Sequence, residues 1–374
     1  MTLNEEQISY LSQFGFDELL LENWRKGVRE GWYSKENNHI KSEMHVPESG
    51  TIHDYPKRDT EERFAMEAAG LEALQNGELG IVILNGGMAT RFGGVVKSLV
   101  PVLGKRSFLD LKMEDVKRIQ GLADCTVPVY LMNSFATDAA TREHCMENGN
   151  FGLREGQVCH FNQFISVRMT ADGDLFRTGE GELSYYGPGH GDFAEAFGES
   201  GCLEQFIKGG GKYLFLSNVD NLGARISPVI LGFHIQQQKQ LTVELAPKWP
   251  EDVGGSPFLV DGKVQLVEQL RYPEGFDPDI VDVFNTNTLT LTAESLDRQF
   301  DLGWYYVEKT VEERKAIQME RLIGELTRTL ESAYLRIKRT GSENRFLPIK
   351  NPEDLEAAQE EIEQLYSQPS VGPD

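Results

Sequence analysis

Apolar residues in this chain fall into short runs, and several of the runs carry small or polar residues within them or at their ends. The runs are GIVIL at 80–84, VPVYLMN at 127–133, VCHFNQFISV at 158–167, KYLFLSN at 212–218, LTVEL at 241–245 and VFNTNTLTL at 283–291. GIVIL, without a polar position, reads as a buried strand. Helix-like segments lie between several runs, for example 107–121 and 192–208. Strands alternating with helices predict an α/β fold built on a mainly parallel, wound sheet.

Helical spacing marks four further stretches. Ile8, Leu11 and Phe14 predict helix near the start, ahead of the polar stretch YSKENNHIKSEMHVPESG. In DTEERFAMEAAGLEALQNG, Asp59 and Glu62 predict a capping box, Phe64, Ala68 and Leu71 a shared face, and Asn76-Gly77 a stop. A long helix is predicted from a capping box at Thr310 and Glu313, through Met319, Ile323, Leu326, Leu330, Ala333 and Ile337, to a stop at Gly341. A last one starts at Asn351-Pro352 with Leu355, Ala358, Ile362 and Leu365 on one stripe. No basic residue follows Lys350, so this end reads as a solvated acidic face that frays. Without repeats or a Gly/Ser linker, the expected organisation is a helical extension over 1–75, an α/β domain over 76–350, and an acidic helix and tail over 351–374.

Composition narrows the choice of partner. The 374 residues carry a formal net charge of -22, which disfavours nucleic acid and anionic membrane across the surface as a whole. An anionic small molecule needs lysines gathered in a cleft. Cys125, Cys145, Cys159 and Cys202 form no C-x-x-C pair, which fits a reducing compartment better than a disulfide framework or structural zinc. MTLNEEQISY lacks the features of a signal peptide, and no run nears the length of a membrane span. A soluble cytoplasmic protein is expected.

The densest chemistry follows GIVIL. ILNGGMATRFGGVVKSLVPVLGKRSFLDL, residues 83–111, holds five glycines and Lys97. A glycine-rich loop at the end of a buried strand lets backbone N–H groups approach phosphate, a following helix N-terminus adds its dipole, and a lysine adds a point charge. Val96 stands where a Walker A loop needs glycine, and G-x-G-x-x-G fits nowhere in GGMATRFGG. A tight connection with an exposed lysine therefore stays open on the glycines alone. Four other stretches also place small and polar residues near apolar segments. Gln163 in FNQ has donor and acceptor for the edge of a base, and YYGPGHGD (185–192) is a glycine turn with amides free for a ligand. LSNVDN sets Asn218, Asp220 and Asn221 where a strand runs out, a pattern suited to Mg²⁺, and FNTNT sets Asn285 and Asn287 on one strand face. Each has a plainer reading, with His190 a turn residue and Asp220 a cap. Together they point to a site of nucleotide or sugar-phosphate size with a lysine and a metal, and they leave the reaction open.

The ordered set LNGGMATRFGG…KSLVPV…SFLDL, YLMNSFATD, FNQ, GPGHGD, LSNVDNLGA, GG at 254–255, FNTNT and RFLPIK resembles the eukaryotic-type UTP–glucose-1-phosphate uridylyltransferases, or UDP-glucose pyrophosphorylases, from about residue 76 to about residue 366. The resemblance implies a Rossmann-like, GT-A-like nucleotidyltransferase fold with a mixed, mainly parallel sheet flanked by helices. It implies conversion of UTP and glucose 1-phosphate to UDP-glucose and pyrophosphate with Mg²⁺. By the same resemblance Leu84, Gly86, Gly87, Gln163, Gly189 and Asn218 hold the nucleotide, and His190, Glu268, Asn285, Asn287 and Lys350 line the sugar phosphate. Lys97, Lys309 and Arg91 meet phosphates, and Asp220 holds Mg²⁺. Three departures stand out: Ala89 where the family has glycine, a loop one residue shorter than usual between Gly87 and Lys97, and Thr288 where asparagine is common. Members of the family also carry a C-terminal β-helix domain used in oligomer contacts. Another hexose 1-phosphate, a broad sugar range, or a non-catalytic sugar-nucleotide binder are the alternatives; oligomeric state stays open.

Overall fold

The structure, a computed structural model, describes residues 3–250 and 252–366, so the last eight residues of the expected acidic tail lie outside the described residues. Eight strands form the central sheet: β1 (Ile52–Asp54), β2 (Leu79–Leu84), β3 (Val129–Asn133), β4 (Val158–Asn162), β5 (Tyr213–Asn218), β6 (Leu241–Pro247), β7 (Val283–Thr292) and β8 (Ser332–Arg336). Their spatial order is β1-β8-β6-β7-β5-β2-β3-β4, and every pairing is parallel except the two made by β7. This is the predicted mixed, mainly parallel sheet. Helices flank it, among them Phe108–Ala123, opened by a capping box of Ser107 and Asp110. Its core-facing strand residues, such as Val82, Leu131, Leu214, Leu216 and Val243, are fully buried. The first 75 residues supply a strand as well as helices, since β1 pairs with β8 at the sheet edge.

Several expected elements differ. Helix Glu61–Gln75 is capped by Thr60, which accepts from Arg63 N, and not by a box of Asp59 and Glu62. Its buried face is Met66, Gly70, Ala73 and Leu74, while Phe64 and Ala68 are exposed. Glycine decides the face. A Cβ on Gly70 would lie 1.9 Å from Pro228 O, and one on Gly232 1.7 Å from Met66 O, so this helix crosses Pro228–Gln237 backbone against backbone. The segment 158–167 is broken after Asn162, and 192–208 is two helices, Phe193–Glu199 and Cys202–Lys208.

The predicted long helix after Thr310 is absent. Tyr305–Val311 and Arg314–Glu320 form an antiparallel hairpin, a short turn follows, and Ser332–Arg336 is β8. The hairpin turn is Glu312-Glu313, both left-handed with φ of 48° and 61°, as a two-residue primed turn requires. Glutamates give no turn signal in sequence, and Thr310 with Glu313 mimicked a capping box. Ala316 through Met319 are buried on both faces of the ribbon, which defeats the period-two pattern of a half-exposed strand.

Candidate functional site

β2, β3, β4 and β5 release their chains at one edge of the sheet, and antiparallel β7 begins there, since Asn285 lies opposite Leu245 near the end of β6. Leu84, Asn133, Asn162, Asn218 and Asn285 therefore share the edge where ligands bind in wound sheets. Beneath it runs a polar ladder. Buried Asn85 donates to Asn133 Oδ1 at 2.7 Å and to Thr141 Oγ1 at 3.0 Å; Asn133 donates to Asp138 at 2.8 Å and contacts His160 Nδ1 at 3.1 Å. Ser134 Oγ donates to Gly86 O at 2.9 Å, so the ladder holds the start of the glycine loop. Sequence reading passed over these residues; the available signal was a polar residue at the ends of adjacent strands.

The loop is a small hairpin. Met88–Ala89 pairs with Val95–Val96 around left-handed Gly93 and Gly94, and Lys97 N donates to Gly87 O at 3.2 Å. The expected helix N-terminus does not follow directly: the chain first makes a turn at Lys97–Leu99 and a ribbon of Pro101–Leu103 with Arg106–Ser107. Ala89 is buried in the core, so the departure at that position turns away from the open edge, whereas Arg91 is exposed on the hairpin. Gln163 sits in a slot made by two glycines. A Cβ on Gly86 would lie 2.9 Å from Gln163 Nε2, and one on Gly187 would lie 2.1 Å from it. Around Gly87 the space is open.

Lys97 and Asp220 meet as an ion pair, each with less than a fifth of its side chain exposed. Asp220 follows β5, and the loop after it is held from below by Lys112, which donates to Ser217 Oγ at 3.2 Å and to the carbonyls of Asn221 and Ala224, each at 2.8 Å. Burial pushes the Lys112 ammonium down to about 8. Asn221 is spent on structure, its Oδ1 accepting from Gly223 N at 3.2 Å and from Leu347 N at 2.9 Å. Ile349 N donates to Asp220 O at 3.1 Å, which brings exposed Lys350 to the same end of the sheet.

Asn285, Asn287 and Glu268 form a second cluster, with Asn285 Nδ2 donating to Glu268 Oε1 at 3.1 Å and to Asn287 Oδ1 at 2.8 Å. Simple alternation does not unite the asparagines: β7 bulges, and Asn287 is left-handed at φ 54°. Thr288 is buried beneath, its hydroxyl 3.4 Å from Asn221 Nδ2, so that departure faces away from the cluster.

His190 Nδ1 accepts from Ile323 N at 2.9 Å, which puts the imidazole proton on Nε2. Burial pushes its pKa below the ordinary range, against the opposing fields of Glu268 and Glu320. Glu320 in turn accepts from Gln318 at 2.6 Å and pairs with Lys309 at 3.4 Å, tying exposed Lys309 to this group. The expectation that the amides of YYGPGHGD are free needs correction, because Gly191 N donates to Arg321 O at 3.1 Å and Asp192 N lies 3.3 Å from Gly189 O. Asp192 is fully buried against Arg321; burial pushes its carboxyl up to about 6 and the guanidinium opposes this. Sequence gave no sign of Lys112 or Arg321, whose partners lie more than a hundred residues away, or of Glu320, whose partners Gln318 and Lys309 meet it only once the hairpin forms.

The edge thus unites a slotted carboxamide, a lysine–aspartate pair and an amide–carboxylate–imidazole cluster. A family model described as UTP–glucose-1-phosphate uridylyltransferase matches residues 22–369. A UTP–glucose-1-phosphate uridylyltransferase of Hordeum vulgare is 31% identical over 301 residues, covering 76% of this chain and 62% of its own length. The chain spans 62% to 64% of the first relatives it matches. A crystal structure of UDP-glucose phosphorylase from Trypanosoma brucei superposes with a TM-score of 0.76 at 23% identity, over 94% of this chain and 77% of that one. A uridine diphosphate N-acetylglucosamine pyrophosphorylase from Trypanosoma brucei gives 0.72 at 22% identity, over 85% and 72%. At these identities the structures establish the shared nucleotidyltransferase fold.

Proposed function

Because the chain belongs to the UTP–glucose-1-phosphate uridylyltransferase family, we propose that it transfers the uridylyl group of UTP to glucose 1-phosphate, giving UDP-glucose and pyrophosphate. The observation that carries this reading is the shared sheet edge on which the Gln163 slot and the Lys97–Asp220 pair sit. The Gln163 carboxamide offers a donor and an acceptor to the uracil edge, and the open space at Gly87 admits the nucleotide beside the main chain. Lys97 is displaced from Asp220 toward the UTP phosphates. His190, as an Nε2–H donor, and the Glu268–Asn285–Asn287 cluster take the sugar hydroxyls, while Lys309 and Lys350 serve its phosphate.

No covalent enzyme intermediate is needed. An oxygen of the sugar phosphate attacks the α-phosphorus of UTP in line, the bond from that phosphorus to the β-phosphate oxygen breaks, and pyrophosphate leaves with the electron pair. The attacking phosphate is already ionised at neutral pH, so no general base is called for. Both reactants are anions, and this chain's contribution is to orient them and offset their charge with lysines. Arg91, exposed on the loop hairpin, would share that task at the leaving phosphates. Among the described residues no group of three His, Cys, Asp or Glu converges, but a single carboxylate beside incoming phosphate oxygens suits Mg²⁺. Asp220 would hold that ion, which would supply neutralisation of the phosphate charge. Among the described residues no helix is long and apolar enough to cross a membrane, and the four free cysteines suit the reducing cytoplasm to which we assign the protein.

Pyrophosphate release, measured for the four nucleoside triphosphates against a panel of hexose 1-phosphates with and without Mg²⁺, tests the proposal. Turnover confined to UTP and glucose 1-phosphate with Mg²⁺ is the expected result. UTP turnover across many sugars would replace the sugar assignment, and UTP binding without turnover would make the chain a binder.

A further inference from the structure

Arg321 stands at the junction of the nucleotide and sugar sides, and nothing in the proposed chemistry uses it. Its main chain lies along the turn that presents His190: Arg321 N donates to Pro188 O at 2.7 Å, and Arg321 O accepts from Gly191 N at 3.1 Å. Two of the turn's glycines exist for this contact. A Cβ on Gly189, where φ is +106°, would lie 2.7 Å from Arg321 O, and one on Gly191 would lie 2.5 Å from Arg321 C. The guanidinium closes the arrangement from the side. Nε donates to Asp192 at 2.9 Å, Nη2 reaches the same carboxylate at 2.7 Å, and Nη1 reaches Glu195 at 2.7 Å. Trp304 lies under the guanidinium at 4.4 Å from ring centroid to Cζ, and Phe164, next to Gln163, at 5.7 Å. Two residues on, Ile323 N donates to His190 Nδ1. The segment 321–323 thus grips the turn at Pro188, His190, Gly191 and Asp192.

We propose that Arg321 is a positioning residue for the sugar side: by locking the 188–192 turn onto the 321–323 backbone it holds the His190 imidazole in one tautomer, with Nε2–H as the donor offered to substrate. A guanidinium suits the task because it meets a carboxylate through two N–H groups while stacking on an aromatic ring, which a lysine cannot do. The cost of losing it falls on orientation. With Asp192 left unpaired the turn lifts from the 321–323 backbone, the bond from Ile323 N lengthens, and both ring tautomers become accessible. This inference rests on the reading that His190 faces the sugar.

Arg321→Met and Arg321→Lys, each alone and in a His190→Ala background, test it. We expect Arg321→Met to raise KM for glucose 1-phosphate by roughly tenfold or more, with KM for UTP within about twofold. In the His190→Ala background the same substitution adds less than about twofold, because the two residues act as one unit. Long-range ¹H–¹⁵N spectra of His190 show a single Nε2–H tautomer in the unsubstituted protein and a mixture in Arg321→Met. If Arg321→Met does not fold, Arg321→Lys, which keeps a cation on Asp192, is expected to give the same pattern at lower amplitude. Equal effects with and without His190, or an unchanged tautomer, overturn the proposal. The spectra need no turnover, so absence of activity in the unsubstituted protein would count against the uridylyltransfer reading while leaving Arg321 testable.

Discussion

Lys97 and Asp220 form an ion pair across 123 residues of sequence, joining the glycine-loop hairpin to the end of a central strand. In the proposed reaction this pair is a resting arrangement that substrate opens. Replacing either partner leaves the other largely buried and unpaired. Lys97→Met is expected to lower kcat by roughly a hundredfold or more, as loss of a charge on the transferring phosphates does. Asp220→Asn is expected to abolish Mg²⁺-dependent turnover while metal-free UTP binding, followed by calorimetry, persists. Unchanged Mg²⁺ dependence would remove Asp220 from the metal role.

The glycines around Gln163 separate two effects. Gly187→Ala drives a methyl into the carboxamide and should displace it, raising KM for UTP by about tenfold and lowering the melting temperature. Gly87→Ala meets no protein atom within 4 Å. Its melting temperature should stay unchanged, while a weaker KM for UTP would show that the open space is the nucleotide's seat. A Gly87→Ala protein with normal UTP kinetics would move the nucleotide elsewhere.

Lys309 is about half exposed and pairs with Glu320 at 3.4 Å, a contact worth little to stability. Lys309→Ala should therefore melt like the parent yet lose turnover by orders of magnitude. Lys350→Ala, measured beside it, decides how the two lysines divide the sugar phosphate. Near-normal activity with a native melting curve in either variant excludes that lysine.

Buried His234 sits between the hydroxyls of Thr242 and Thr292, at 2.9 and 3.1 Å, and burial holds its pKa down to about 4. The unfolded chain, with histidine near its ordinary value, binds the extra proton first as pH falls. The stability tied to neutral His234 is thus present above about pH 6.5 and is lost toward pH 4, by up to about 3 kcal/mol. Melting temperatures across that window should fall less steeply in His234→Gln, and parallel slopes would show that His234 does not contribute.

Much of the architecture was legible. Uninterrupted apolar runs such as GIVIL and YLFL, short and bounded by polar residues, read as buried strands, and the polar residues that follow them mark the sheet edge. The segment after Thr310 hides its hairpin because the turn is Glu312-Glu313 and Ala316–Met319 of the second strand are buried on both sides. Neither feature leaves a period. The Asn287 bulge was equally silent, since no glycine marks it.

What the sequence determined by itself was local: where strands run out, which loops carry glycine, and which side chains can meet phosphate or base. Those properties depend on neighbours a few residues away, through sterics and periodicity. Which carboxylates the cations of the site and core meet was settled by the tertiary structure, unlike helix pairs such as Arg142 with Asp138 at a spacing of four. Lys97 pairs with Asp220, Arg321 with Asp192 and Arg345 with Glu244, all over sequence separations of a hundred residues or more. A buried charge must find its counter-charge, and the chain topology that delivers the partner is fixed by how the sheet winds, not by anything beside the charge in sequence.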